Sequence, residues 1–255
     1  MTNALRLDGV TLPGTGYPKK KNFVVPNFPV TSGLLGLFVI GGNQSLSLIN
    51  HADSDAPALV VGSPTFNELG ATLSQVNCLD TQLPSTSAMT IISVAKVILP
   101  AGASPFADSA MICSNFLGGG SNTGDSLSLR NATGAKVSAL VQTSGGINAS
   151  NQDISTGTAG QWNAFVGRYK STGEAKAWWS HSGTVVSAAE SAAATRVAIS
   201  SALRIGGHYQ PAQYTGPIEV QMVAIFNQAL ADADVASNLA YLTATYGPAI
   251  GVSTL

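Results

Sequence analysis

The chain has 255 residues, enough for one large domain with a sizeable core, and 10% of them are charged, against about 25% in an average soluble protein. Its 12 basic and 13 acidic residues leave a net charge of −1, which offers no electrostatic footprint for nucleic acid. The two cysteines, Cys78 and Cys113, are too few for a disulfide framework and read as buried thiols, and no run of about 18 apolar residues is present to insert into a membrane.

Residues 1–31 read as an extended N-terminal arm, distinct from a domain at 32–255. Leu5-Arg-Leu7 alternates briefly and meets the turn pair Asp8-Gly9. Pro13, Gly14, Gly16, Pro18, Pro26 and Pro29 then exclude helix and central strand. Lys19, Lys20 and Lys21 in mid-arm are either a solvated run or a hold on an acidic neighbour. The chain does not open with the charged, apolar and small-residue order of a signal peptide. The expectation is therefore synthesis in the cytoplasm and export by another route.

From Gly33 onward short strands alternate with turn signals. Residues 34–40 read as a buried strand, 46–49 begin another, and 58–61 form a third. Residues 89–99, rich in β-branched side chains, make the strongest. Residues 127–129 and 137–141 pair as a hairpin around Asn131-Ala-Thr-Gly134. Gly160-Gln-Trp162 opens a strand that runs through Phe165 to Tyr169, turns at Ser171-Thr-Gly173 and returns over 175–180. Residues 197–201, 203–205 and 218–225 complete the set. Many short, evenly spaced strands predict an all-β, two-sheet antiparallel jelly-roll sandwich. A short C-terminal helix follows. Asp232 and Asp234 favour its N-terminal dipole, Val235, Leu239 and Leu242 give it one apolar face, and Tyr246-Gly247-Pro248 is read as its end.

Catalytic and metal motifs are weak. No Gly-x-Ser-x-Gly elbow is present, and His51, His181 and His208 do not fall at metal-ligand spacing. His51-Ala-Asp53-Ser-Asp55 has oxygen ligands but lacks the full calcium loop, so it reads as a polar turn and no metal or other cofactor is expected. Gly118-Gly-Gly120 is not followed by Gly-Lys-Ser/Thr and reads as a loop tip rather than a phosphate loop. Aromatic residues are better candidates. Trp178 and Trp179 are adjacent on a strand and point to opposite faces. Ala175, Ala177 and Trp179 suit the core, whereas Lys176, Trp178 and Ser180 suit solvent. Trp178 is thus expected to be the more exposed ring, able to stack on a sugar face. The alternative packs it under the arm or against a sister subunit. Trp162 reads as core.

Three phrases near the end carry a resemblance: Leu203-Arg-Ile-Gly-Gly207, Tyr214-Thr-Gly-Pro-Ile-Glu-Val220, and Phe226-Asn-Gln-Ala-Leu230 with Asp232-Ala-Asp234-Val235. Together with Gly160-Gln-Trp162…Tyr169 they resemble laminin-G-like domains of the concanavalin A-like lectin/glucanase superfamily. Leu7-Asp-Gly9, Leu12-Pro13, Tyr17-Pro18 and Val61-Gly-Ser-Pro-Thr65 are similar to virion proteins of tailed bacteriophages that carry this fold. The hairpin that usually reads Tyr-x-Asp-Gly is here Trp179-Ser-His181-Ser-Gly183, without the aspartate that would assist calcium binding.

The resemblance implies a rim at the loop holding His208, Tyr209 and Tyr214. With Trp178 and His181 these are the candidate glycan contacts. It also implies a virion protein, in the tail fibre, tail tip or capsid surface, that binds host-surface glycans and is not an enzyme. Its partners would be other virion proteins, met through the arm, and further copies of itself, with a trimer expected by analogy with fibres. One alternative is a purely structural capsid decoration or cement protein. A second is a polysaccharide-degrading enzyme using Glu174 and Glu219. The clustered carboxylates of glucanases are missing, since Glu68, Glu174, Glu190 and Glu219 each lack an acidic neighbour.

Overall fold

Two antiparallel sheets account for the named strands in the computed structural model, which describes residues 24–96, 98, 108–118, 123–131 and 134–255. Strands are numbered in chain order. The eight-stranded sheet contains β1 (Leu34–Val39), β3 (Thr65–Phe66), β4 (Ala71–Leu73), β6 (Met89–Lys96), β11 (Trp162–Tyr169), β12 (Ala175–His181), β13 (Thr184–Ser187) and β15 (Ile218–Phe226). Its order is β13-β12-β11-β6-β15-β4-β3, with β1 also paired to β15. The seven-stranded sheet contains β2 (Leu59–Val61), β5 (Cys78–Pro84), β7 (Ala110–Ser114), β8 (Ser126–Asn131), β9 (Ala135–Thr143), β10 (Gly146–Asp153) and β14 (Ala202–Ile205), in the order β10-β9-β8-β7-β14-β5-β2. The expected two-sheet sandwich is the fold observed.

Strand alternation places the main core between the sheets. Met89, Ile91, Phe165, Tyr169, Trp179 and Val223 from one sheet meet Ile112, Leu127, Val137, Val141, Leu203 and Ile205 from the other. The eight-stranded sheet is apolar on its outer face as well. Ile92, Val94, Val166, Trp178 and Ala224 point there, beneath helix α2 (Asp232–Tyr241) and the C-terminal residues that follow. Val235 and Leu239 are fully buried in this second core, and each contributes about 1.5–3 kcal/mol by leaving water. Residues 24–30 also belong to it: Phe28 packs on Phe226 and Tyr241, and the Asn238 side chain bonds both the N–H and the C=O of Val30. Residues 1–23 of the expected arm, including the lysine run, lie outside the described residues.

Three local expectations need correction. Residues 46–49 are not a strand, because Asn43 accepts the Leu46 N–H at 3.0 Å and caps a short helix, α1 (Gln44–Ser47). Residues 197–201 are irregular; the chain touches β9 just before them, where Arg196 bridges to Thr143 and Val197 N–H bonds to Gln142 C=O. The C-terminal helix does not stop at Gly247-Pro248. It widens by a residue per turn over Leu242–Tyr246 and continues as α3 (Gly247–Ile250), with Pro248 in the first turn, where its missing N–H is not needed. Gly251, at φ 79°, ends it.

A strap over residues 188–197 closes one open side of the sandwich. Its N–H groups at Ala188, Ser191 and Ala194 bond to carbonyls of Ala177, Ala175 and Thr172 on the β12 side. From the β9–β10 side, Ser150 and Asn148 donate to Ala189 and Ala192, and Ser144 N–H donates to Thr195. The strap ends in a buried ion pair: Arg196 Nη2 lies 2.8 Å from Asp125 Oδ2, which also accepts from Ser85 at 2.6 Å.

Candidate functional site

The five sequence-predicted residues fall in two places, with the sandwich between them. Trp178 and His181 are on β12 of the eight-stranded sheet, whereas His208, Tyr209 and Tyr214 lie against the seven-stranded sheet. The exposure expected of Trp178 is not found. Its ring is 5% exposed, against 8% for Trp179. Helix α2 covers that face, and Arg168 and Lys176 sit at 5.0 and 4.8 Å from the ring centroid. Asp232 at the start of α2 binds both cations, and Glu190 of the strap binds Arg168 and Lys170. Lys176, one of the polar neighbours that suggested solvent, thus joins a charged lid that seats the helix, and Ser180 is buried. His181 stacks parallel on Trp179, 6.2 Å between centroids, at the end of β12, and Trp179 donates to Asn163 at 2.8 Å.

The loop between β14 and β15 does not stand up as a rim. Gly206 has φ 76°, and a Cβ there would lie 2.1 Å from the Leu73 Cβ, so only glycine lets the chain turn off β14 at this point. A Cβ at Gly207 would meet Cys78 at 2.6 Å. The loop folds back over the outer face, where Tyr209 N–H bonds to Phe116 C=O. Met111, Phe116 and Tyr214 make a small cluster outside the sheet, and His208 packs edge-on against Phe116 and Tyr214. His208 is fully buried. Its Nδ1 accepts the Gln210 N–H at 3.1 Å, so Nε2 carries the proton and donates to the Tyr214 carbonyl at 3.3 Å. Burial lowers its pKa below the ordinary 6.5, and the Arg204 charge acts in the same direction. His208 and Tyr214 are therefore braces of the loop. Neither is open to a ligand.

Tyr209 is half-buried and belongs to an accessible cluster. On β14, Leu203 and Ile205 point into the core and Arg204 points out. Its cross-strand neighbour on β5 is Asp80, whose own neighbour on β2 is Leu59, 54% exposed. Arg204 Nε lies 3.3 Å from Asp80 Oδ2, and Nη1 donates to the His208 carbonyl at 3.3 Å. The guanidinium lies 3.7 Å from the Tyr209 ring centroid, a cation–π contact that covers one face of the ring. Tyr209 Oη donates to Asp80 at 3.3 Å or to Ala202 C=O at 3.0 Å. Burial and the Asp80 charge raise the Tyr209 pKa, so the phenol stays protonated. Of four described non-glycine residues with left-handed backbone, Gln82 borders this cluster, its N–H bonding Asp80 Oδ1 at 3.0 Å. Backbone strain of that kind collects at functional sites.

Sequence reasoning missed Arg204 and Asp80. A cross-strand pair follows from register, and a single sequence does not disclose the register of β5 against β14. An open cleft of about 410 Å³ lies elsewhere, between the β11–β12 turn and the strap. Ser171, Thr172, Ala193, Ala194 and Thr195 line it, without a charged or aromatic side chain. Glu174 and Glu219, the pair proposed for hydrolysis, do not meet. Glu174 adjoins Ala175, which aligns through Tyr169 with Met89, while Glu219 aligns with Lys96 at the other end of β6. That is about 20 Å of strand, against the roughly 5–10 Å a glycosidase needs. Glu219 is also held by Lys96 at 2.6 Å and Asn67 at 2.8 Å. Among the described residues no group of three or more His, Cys, Asp and Glu is placed to hold a metal ion, and no helix is long and apolar enough to cross a membrane.

No family model and no curated protein matches this sequence. Solved structures match the fold. The binding domain of botulinum neurotoxin serotype D superposes with a TM-score of 0.57 at 13% identity, over 80% of this chain and 50% of that one. The type G receptor-binding domain gives 0.57 at 14%, over 83% and 52%. The chain thus spans about half the length of these neurotoxin domains. Domain 4 of an extracellular arabinanase from Geobacillus stearothermophilus, solved with arabinotriose, gives 0.52 at 14%, over 82% of this chain and 98% of that domain. At these identities the likeness establishes the architecture, a β-sandwich also used by receptor-binding and arabinotriose-binding domains.

Proposed function

We propose that this chain is a saccharide-binding module and that its site is the Arg204–Tyr209–Asp80 cluster beside Leu59. The observation that carries the reading is the cluster itself: a stacked, hydrogen-bonded Arg–Tyr–Asp group on an outer sheet face, next to an exposed leucine. Sugars are bound by such mixtures of directed polar groups and apolar surface. The fold adds support, because an arabinanase domain of this architecture was solved with arabinotriose and the neurotoxin domains are described as receptor-binding. Fold alone does not assign a role, so the residues carry the claim.

The larger role we infer is adhesion by a bacteriophage virion protein, as a tail-fibre, tail-tip or capsid-surface component that recognises glycans of the host. Support comes from the similarity of Val61-Gly-Ser-Pro-Thr65 and Leu203-Arg-Ile-Gly206 to such proteins, and from a surface with few charges. Contacts with other virion proteins through residues 1–31, and assembly into a homo-oligomer, belong to the same reading.

The test is a panel of immobilised saccharides, including arabinotriose and host-surface polysaccharide, probed with the full chain and with Arg204→Ala and Trp178→Phe. Retention of the wild type on one or more saccharides, lost in Arg204→Ala and kept in Trp178→Phe, is the expected result. No retention on any saccharide, with the protein folded, would favour the decoration role instead.

A further inference from the structure

We propose that the Arg204–Asp80–Tyr209 cluster is built for a neutral sugar presenting two adjacent hydroxyls, and that it discriminates against acidic sugars. This rests on the saccharide-binding reading and adds the ligand class to it.

The argument is an inventory of donors and acceptors. Arg204 has five N–H groups. Nε is directed at Asp80 and one Nη1–H at the His208 carbonyl, which leaves the other Nη1–H and both on Nη2 without a well-aligned acceptor among the described residues apart from the Tyr209 hydroxyl beside them. Asp80 Oδ1 accepts the Gln82 N–H at 3.0 Å and keeps one lone pair. Oδ2 faces Arg204 Nε, and it is filled when the Tyr209 hydroxyl donates to it rather than to the Ala202 carbonyl. The cluster therefore offers free donors and a single charged acceptor, side by side. A vicinal diol complements that set: one hydroxyl oxygen accepts from the guanidinium and the neighbouring hydroxyl donates to Asp80.

A carboxylate ligand fits less well. It has no proton for Asp80 Oδ1, and it would meet the Asp80 charge, while the Arg204 charge is already balanced by that same carboxylate. Tyr209 acts as a positioning residue here. With one ring face covered at 3.7 Å, it holds the guanidinium against the ring. Leu59, directly across the ladder from Asp80, supplies the apolar edge against which sugar C–H groups can rest.

The experiment is calorimetric titration of the full chain with matched probes, methyl galactopyranoside against galacturonic acid and methyl mannopyranoside against N-acetylneuraminic acid, at low and high sodium chloride. Asp80→Asn and Arg204→Lys are titrated beside the wild type, with folding checked by melting. The expected result is binding of a neutral glycoside with an affinity nearly independent of salt, weakened about tenfold or more by either substitution, and no tighter binding of its acidic counterpart. Tighter binding of the acid that weakens steeply with salt overturns the inference and leaves a saccharide site standing. So does neutral-sugar binding that both variants retain. No binding by any probe, or by any saccharide on the panel, overturns the saccharide reading itself.

Discussion

His208 is held between Phe116 and Tyr214 with both ring nitrogens engaged. Because burial lowers its pKa below 6.5, the unfolded chain takes up the proton first as pH falls. The stability given by the neutral ring is complete above about pH 6.5 and is lost as pH drops toward the lowered folded value. His51, also lowered by burial, adds the same slope. The melting temperature should therefore fall below about pH 6.5, and His208→Gln should remove part of that fall; an unchanged slope would contradict the assignment. Trp178 poses the complementary case. Its sequence neighbours Lys176 and Ser180 look solvent-facing, but the face they mark is covered by residues more than fifty positions away. Trp178→Ala should cost about 3–5 kcal/mol in chemical denaturation. Trp178→Phe, which keeps the ring buried, should leave saccharide binding as in the wild type.

The β14–β15 segment shows how an element can be read correctly while its side chains are not. Leu203, Ile205 and the glycine pair were legible as strand and turn, and the structure gives Gly206 and Gly207 a steric reason. Where the loop then goes depends on Phe116 and Met111, which are remote in sequence, so a folded-back loop looked like a rim. Gly206→Ala should destabilise the protein by roughly 1–3 kcal/mol, since it combines a left-handed backbone with a contact against Leu73. A neutral effect on urea unfolding would mean that the turn is looser than described. The C-terminal helix was legible from Val235, Leu239 and Leu242, yet its end was placed too early. Proline at a first-turn position does not stop a helix that re-registers just before it. The strand expected at 46–49 failed for a local reason, the capping side chain of Asn43.

The sandwich as a whole was readable from strand count and turn spacing, because alternation and punctuation are local signals. Its closure was not, since the ion pair that ends the strap connects residues about 70 positions apart. Arg196 and Asp125 are both buried. Burial raises the Asp125 pKa against the opposing pull of Arg196 and of hydrogen bonds from Ser85 and the Gln142 backbone. Arg196→Met would strand that carboxylate without its counter-ion, at a cost of about 3–5 kcal/mol. Hydrogen exchange should then show the strap amides of Ser191 and Ala194 opening before those of β6; equal protection in variant and wild type would contradict the latch. The central claim is that a saccharide sits on the outer face of the seven-stranded sheet. The most direct measurement is an NMR titration of isotopically labelled full chain with the best-retained saccharide. Shifts concentrated at Leu59, Asp80, Gln82 and 204–210 are predicted. Shifts that cluster instead around Ser171, Thr172 and Ala193–Thr195, or that spare Arg204 and Tyr209, would contradict it.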